Sequence, residues 1–218
     1  MKAIWSGLSR SGLLFLALFI SACAVQLKSG ERDGVQAIGL TPEDWTALSK
    51  PGSSHRLLES FVGEWDVELT FWSDPDSAGE SSLGHSQISW ILGKRFLQEQ
   101  FSGTLAGADY RGMGIMGYDN AAKRFKTVWA DSLNTALTTS SGRFSPDGKT
   151  VDLESEVYDP LVSGLKVVQS KLQIESADSY TFFMTDTSPE GKKFKSLEMR
   201  YRRVAIQDKI KSTTKRYA

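Results

Sequence analysis

Two carboxylates, Glu99 and Asp131, occupy positions that an alternating apolar pattern turns toward an interior. A carboxylate in apolar surroundings must be paired, hydrated or hydrogen-bonded, because burying it alone is costly. So placed, it can move a proton or hold the polar end of a ligand. Arg95, Arg111 and Arg200 are the candidates to pair with one of the two. The pattern leaves open whether such a pair ties strands together or faces a ligand. Metal and nucleophilic chemistry find less support. The chain has two histidines, His55 and His85, and one cysteine, Cys23. No His, Cys and carboxylate cluster has ligand spacing, and no Gly-x-Ser-x-Gly turn is present. His85 is the one histidine in a strand, hence the single candidate for a triad base or a haem ligand. No metal or cofactor is expected. An enzyme using Asp131 or Glu99 as base on a carbonyl or ester is the least supported reading, because no nucleophile–base pair is visible.

The elements that must hold these carboxylates change period at Gly63. Trp65, Val67, Leu69 and Phe71 alternate with Asp66, Glu68 and Thr70, as in a half-buried strand. Further strands are expected at His85–Leu92, Arg95–Gly103, Asp109–Tyr118, Arg124–Ser132, Thr135–Phe144, Thr150–Tyr158, Leu165–Ile174, Ser179–Thr185 and Lys193–Arg203. Turn residues separate nearly all of them, as at Asp119-Asn120, Pro146-Asp147-Gly148 and Pro189-Glu190-Gly191. About ten strands spaced by roughly 8–12 residues predict a sandwich or barrel. Short consecutive connections favour a closed up-and-down barrel, which also removes exposed edges. The fold class expected is therefore all-β, an antiparallel barrel of about ten strands over residues 63–204, led by one or two short helices over 41–62. Thr41-Pro42-Glu43-Asp44 opens the first helix with a cap, a proline at the first turn and acidic residues at the positive dipole end. Leu57, Leu58 and Phe61 share a face that would pad one end of the barrel. Gly112, Gly114 and Gly117 mark bending or close approach within a strand, or a thin wall beside a ligand.

The chain has 218 residues and 40% hydrophobic composition, enough for one domain with a core. Residues 1–22 read as a removable leader: Lys2 and Arg10 are basic, and Leu13 to Ile20 is a short apolar run. Without them 24 basic residues face 26 acidic ones, a net charge of −2 that argues against a nucleic-acid partner. Ile20-Ser21-Ala22-Cys23 resembles the lipobox of bacterial lipoproteins, in which the cysteine is acylated and becomes the mature N-terminus. The alternative is an ordinary secretory signal with an incidental cysteine. Cys23 has no second cysteine to pair with, which favours acylation. Residues 23–40 are polar and glycine-containing, a flexible tether. The resemblance implies membrane attachment through the lipid, and Ala24 after the cysteine implies the outer membrane of a two-membrane cell, with the domain in the periplasm. Residues 205–218, with Lys209, Lys211, Lys215 and Arg216, form a polar basic tail.

From about Leu57 to Arg203 the chain resembles the DUF1579 family. The matching pieces are Gly63-Glu64-Trp65, the run Trp90 to Leu97, the run Gly112 to Asn120, Trp129-Ala130-Asp131-Ser132, Pro146 to Thr150, and Pro189-Glu190-Gly191 leading to Glu198 through Arg203. That family is similar to the calycin barrels, among them lipocalins, whose first strand carries a Gly-x-Trp signature. The resemblance implies a calycin-like barrel and no established general activity.

A barrel of this size has room for side chains and one small ligand, and ligand cavities are mostly apolar with a few placed polar groups. Inward candidates are Trp65, Leu69, Phe71, Trp90, Glu99, Phe101, Trp129, Asp131, Leu137, Met199 and Tyr201. The leading expectation is an envelope lipoprotein whose barrel binds a small apolar or amphipathic ligand. The alternative is a non-catalytic scaffold with a filled barrel and its function on the loops.

Overall fold

The computed structural model of the protein describes residues 39–159 and 163–205. The leader, Cys23, the tether up to residue 38 and the tail from residue 206 lie outside the described residues. Helix α1, Pro42–Ser49, begins with a capping box: the Asp44 amide donates to Thr41 Oγ1 at 3.2 Å, and the Thr41 amide donates to Asp44 Oδ2 at 2.9 Å. Helix α2, Ser53–Arg56, continues into a 3₁₀ turn, Leu57–Phe61. The face expected to carry three apolar residues buries Leu58 and Phe61 and leaves Leu57 at the surface. The 3₁₀ repeat of three residues per turn superposes Leu58 on Phe61 and rotates Leu57 away.

Ten strands follow: β1 Gly63–Phe71, β2 Glu80–Ile91, β3 Phe96–Leu105, β4 Ala108–Asp119, β5 Arg124–Asp131, β6 Thr138–Phe144, β7 Thr150–Asp159, β8 Gly164–Ser176, β9 Ser179–Thr187 and β10 Lys193–Arg203. Each pairs antiparallel with its sequence neighbours, and β1 also pairs with β10, so the barrel closes. The architecture is the up-and-down meander expected from the alternation.

Two strands start three or more residues from where that expectation placed them. Strand β2 starts at Glu80, five residues before His85, and its inner face there is Ser82, Gly84 and Ser86. Small residues fill that face because Phe101 of β3 lies across it: a Cβ on Gly84 would collide with the Phe101 ring. Strand β6 starts at Thr138 rather than Thr135, and Leu137, expected inside, is 69% exposed in the preceding loop. There Asp131 Oδ1 accepts the Leu133 amide at 2.9 Å and Asn134 Oδ1 accepts the Ala136 amide at 2.7 Å. Such local side-chain bonds compete with the ladder and delay the strand.

The helical end of the barrel is its packed end. Phe61 meets Tyr180 edge-on at 5.0 Å, and Tyr180 meets Trp65 at 4.8 Å. Trp65 is fully buried and donates from Nε1 to the Phe61 carbonyl at 2.9 Å. Arg203, opposite Trp65 in the β1–β10 register, lays its guanidinium 4.1 Å from the Trp65 ring centre. The same guanidinium donates to the carbonyls of Val62 at 2.6 Å, Ser60 at 3.2 Å and Ala177 at 3.0 Å. It thereby joins the 3₁₀ turn, the first and last strands and the β8–β9 turn. A Cβ on Gly63 would strike the Arg203 guanidinium, so glycine is required beside it.

Replacing Arg203 by Ala removes the stacking and strips three carbonyls of a charged donor. Urea denaturation is expected to show a loss of about 3 kcal/mol, and a loss below about 1 kcal/mol would reject this clamp as a major determinant of closure.

Candidate functional site

Beyond this packing, and bordered by Phe61 and Tyr180, the barrel interior holds a cavity of about 270 Å³. Its apolar wall includes Ile88, Leu97, Leu153, Leu172, Phe182 and Met184, and Phe61 of the 3₁₀ turn contributes as well. Its polar groups are Glu99, Tyr110, Asp131, Tyr180 and Tyr201, with the hydroxyls of Thr127, Thr138, Ser140, Ser155 and Ser170. Ser140 and Ser155, opposite one another on β6 and β7, satisfy each other at 2.6 Å.

The glycines of β4 shape one wall. Gly114 pairs with Trp129 of β5, and a Cβ on Gly114 would lie 2.9 Å from Trp129 Cε3. A Cβ on Gly112 would overlap the same indole. The two glycines therefore form a slot in which Trp129 lies flat against the sheet. From that slot Trp129 Nε1 donates to the Tyr110 hydroxyl at 3.1 Å. The slot is the close approach that the glycine pattern pointed to.

Glu99 is the chemically distinctive group. It stands opposite Gly114 on β3, enclosed by the barrel, and the surface it exposes faces the cavity. Its Oε1 accepts Ser86 Oγ at 2.6 Å and the Tyr201 hydroxyl at 3.1 Å. Among the described residues no cation reaches it. Burial raises its pKa above the usual glutamate range, only partly opposed by the two hydrogen bonds. The phenols around it shift with it. Burial, the Asp131 charge and the Glu99 charge push Tyr110 up to about 12. Tyr180 and Tyr201, stacked at 4.2 Å, are raised chiefly by burial.

Of the residues singled out by sequence, the structure brings Glu99, Trp129, Asp131, Met199 and Tyr201 around the cavity. Trp65 and Phe101 point inward but are packed core, and Phe71 packs against that core without lining the cavity. Trp90 lies under the helices, donating from Nε1 to Glu59 Oε2 at 2.8 Å. The expected arginine partners lie elsewhere. Arg200 binds Glu198 at 2.6 Å, and Arg95 donates to the Ser49 carbonyl at 3.2 Å. Asp131 caps the β5–β6 loop instead. His85 faces outward, 3.7 Å from Asp66. Sequence reasoning missed Tyr110, Ser86 and Tyr180. Tyr110 shares the parity of Gly112 and Gly114, a signal that was available. Ser86 carried none.

A closed ten-stranded antiparallel barrel with an interior cavity defines the class. Within it, the family described as "Protein of unknown function (DUF1579)" matches residues 50–203, and the chain belongs to that family. Among curated proteins no sequence matches the chain. The crystal structure of Rv2717c from M. tuberculosis is similar in fold, with a TM-score of 0.54 and 14% identity over 72% of this chain and 100% of that one. A redesigned β-barrel matches with 18% identity and a TM-score of 0.36, over 69% of this chain and 96% of its own. EF1p2_mFAP2b bound to DFHBI matches with 14% identity and a TM-score of 0.38, over 70% of this chain and all 100% of its own.

Two outcomes follow from this geometry. Gly112→Ala forces Trp129 out of its slot, and overpacking of this kind should cost roughly 1–3 kcal/mol in urea denaturation. A neutral Glu99 stabilises the fold fully below the ordinary value of 4.5, and that contribution is lost as pH rises through the raised folded value. Thermal melts of wild type and Glu99→Gln should therefore diverge in favour of the variant between pH 4.5 and neutrality. A melting difference that is flat across this range, or that shrinks as pH rises, rules out the raised acid.

Proposed function

We propose that this chain is an envelope lipoprotein whose barrel binds a small apolar or amphipathic molecule. The observation that carries the reading is the cavity: about 270 Å³, walled by aliphatic and aromatic side chains, with a few fixed polar groups. That volume is near the low end of the roughly 300–1,000 Å³ of ligand pockets. It is several times the roughly 30 Å³ share of one water, which supports a hollow barrel over the alternative of a filled scaffold. The lipobox-like Ile20-Ser21-Ala22-Cys23 supports the address. More than one acyl chain on Cys23 would give stable anchoring, since each buried methylene adds about 0.8 kcal/mol. The residue after it, Ala24, supports the outer membrane, with the barrel on the periplasmic side.

The chain beginning at Cys23 should take up a fluorescent apolar probe and carry a bound small molecule in native mass spectrometry. Ser170→Leu places a larger apolar side chain in the cavity and should lower probe uptake at least tenfold with the barrel still folded. In cells, Cys23→Ser should abolish incorporation of labelled palmitate. Absence of any uptake by the folded wild-type chain would overturn the ligand reading, and palmitate-free, soluble wild-type protein would overturn the anchor.

A further inference from the structure

Two polar groups of the cavity lack a full set of partners, and among the described residues no cation lines it. Glu99 Oε1 is saturated by Ser86 and Tyr201, whereas Oε2 has no partner among the described residues. Tyr110 accepts from Trp129 Nε1, and its own O–H proton has no acceptor among them. Both residues line the cavity, from neighbouring strands. Among the described residues no Lys or Arg side chain lines it. Lys166, which shares the inward parity of Ser170 and Leu172 on β8, is held by Asp159 and Asp186 at 2.8 Å each.

These facts constrain the ligand's polar end. A carboxylate or phosphate would enter with no counter-charge, beside Glu99 and Asp131, and would lose its hydration without compensation. An ammonium seated at Glu99 would require that residue to ionise among apolar walls, and Asp131, the other carboxylate on the wall, is committed through Oδ1 to the Leu133 amide and the Asn134 side chain. A neutral acceptor requires neither. A buried carboxyl with no cation beside it is shifted toward its neutral form, and Oε2, the oxygen without a partner, is where that form would carry its proton.

We propose that the barrel's ligand is an uncharged molecule with a carbonyl-type acceptor seated on Glu99 Oε2 and an apolar remainder against Leu97, Leu153 and Phe182. The assignment rests on the cavity being a ligand site. It adds the chemical class: ketone, ester, amide or quinone-like, as opposed to fatty acid, phospholipid headgroup or amine.

Three probes of equal chain length separate the cases: methyl octyl ketone, decanoic acid and decylamine, each titrated at neutral pH into the complete chain after residue 22. The ketone is expected to bind about tenfold or more tightly than either charged probe, the size of one good hydrogen bond to a neutral donor. The carbonyl stretch of the bound ketone should move to lower frequency. Glu99→Leu should abolish both the preference and the shift, and Glu99→Gln, which retains an N–H donor, should restore them in part. Tighter binding of decanoic acid or decylamine overturns this assignment while leaving the cavity a ligand site. Failure of all three to bind the folded chain counts against the ligand site itself. An unshifted carbonyl in a bound ketone also overturns the proposal, whether or not the Glu99 variants fold.

Discussion

Closure of ten strands on themselves is the constraint from which the other features descend. Antiparallel pairing of β1 with β10 leaves no free edge. It also fixes a diameter. Roughly eight strands enclose an interior that side chains can just fill, and each further strand widens it. With ten, the aromatic residues of the chain suffice for only one end. Trp65, Phe61, Tyr180, Tyr118, Phe125 and Phe144 pack the helical end. Toward the other, Trp129 and Phe101 lie flat against strands in slots opened by glycines. Rings drawn to the wall leave the axis empty. The void is thus a result of strand number and glycine placement together.

A void within the barrel governs the charges that border it. Glu99 can be held there because three neighbouring groups are hydroxyls that adjust to it. Ser86 and Tyr201 donate to one oxygen, and Tyr180 is hydrogen-bonded behind Tyr201. Burial raises the pKa of both phenols and of Glu99, so the network as a whole disfavours negative charge. A charged partner would have to be desolvated as well, and burying both members of a pair commonly fails to repay that cost.

The sequence made the fold legible for a physical reason. Alternation sets which face of a strand is apolar, and turn residues set where strands end, so strand count and connectivity could be read. It faltered where inward positions are not apolar. Ser82, Gly84 and Ser86 hid the first half of β2, and the Asp131 and Asn134 caps displaced the start of β6. The site was only partly legible, because parity gives a face but not a height along the barrel axis. Trp65, Phe101 and Trp129 have the same inward parity. Only the third meets the cavity, and that follows from which strands stand beside it and where their glycines fall.

A second glutamate shows that Glu99 lacks a cation because of its place, not because the chain lacks cations. Glu198 is also buried, at 6% exposure, but on the outward parity of β10. There it is bound by Arg200 at 2.6 Å and by Lys195, whose ammonium also rests on Phe183 and Trp72. Long basic side chains reach it along the barrel surface while keeping contact with water. Inside, no such route exists, since a Lys or Arg crossing the cavity would strand its own charge. The two glutamates therefore have different chemistry with the same side chain. Glu198 is paired with two basic side chains, Lys195 and Arg200, on the outer face of the sheet. Glu99 has hydroxyls for partners and no cation among the described residues, and its second oxygen opens onto the cavity.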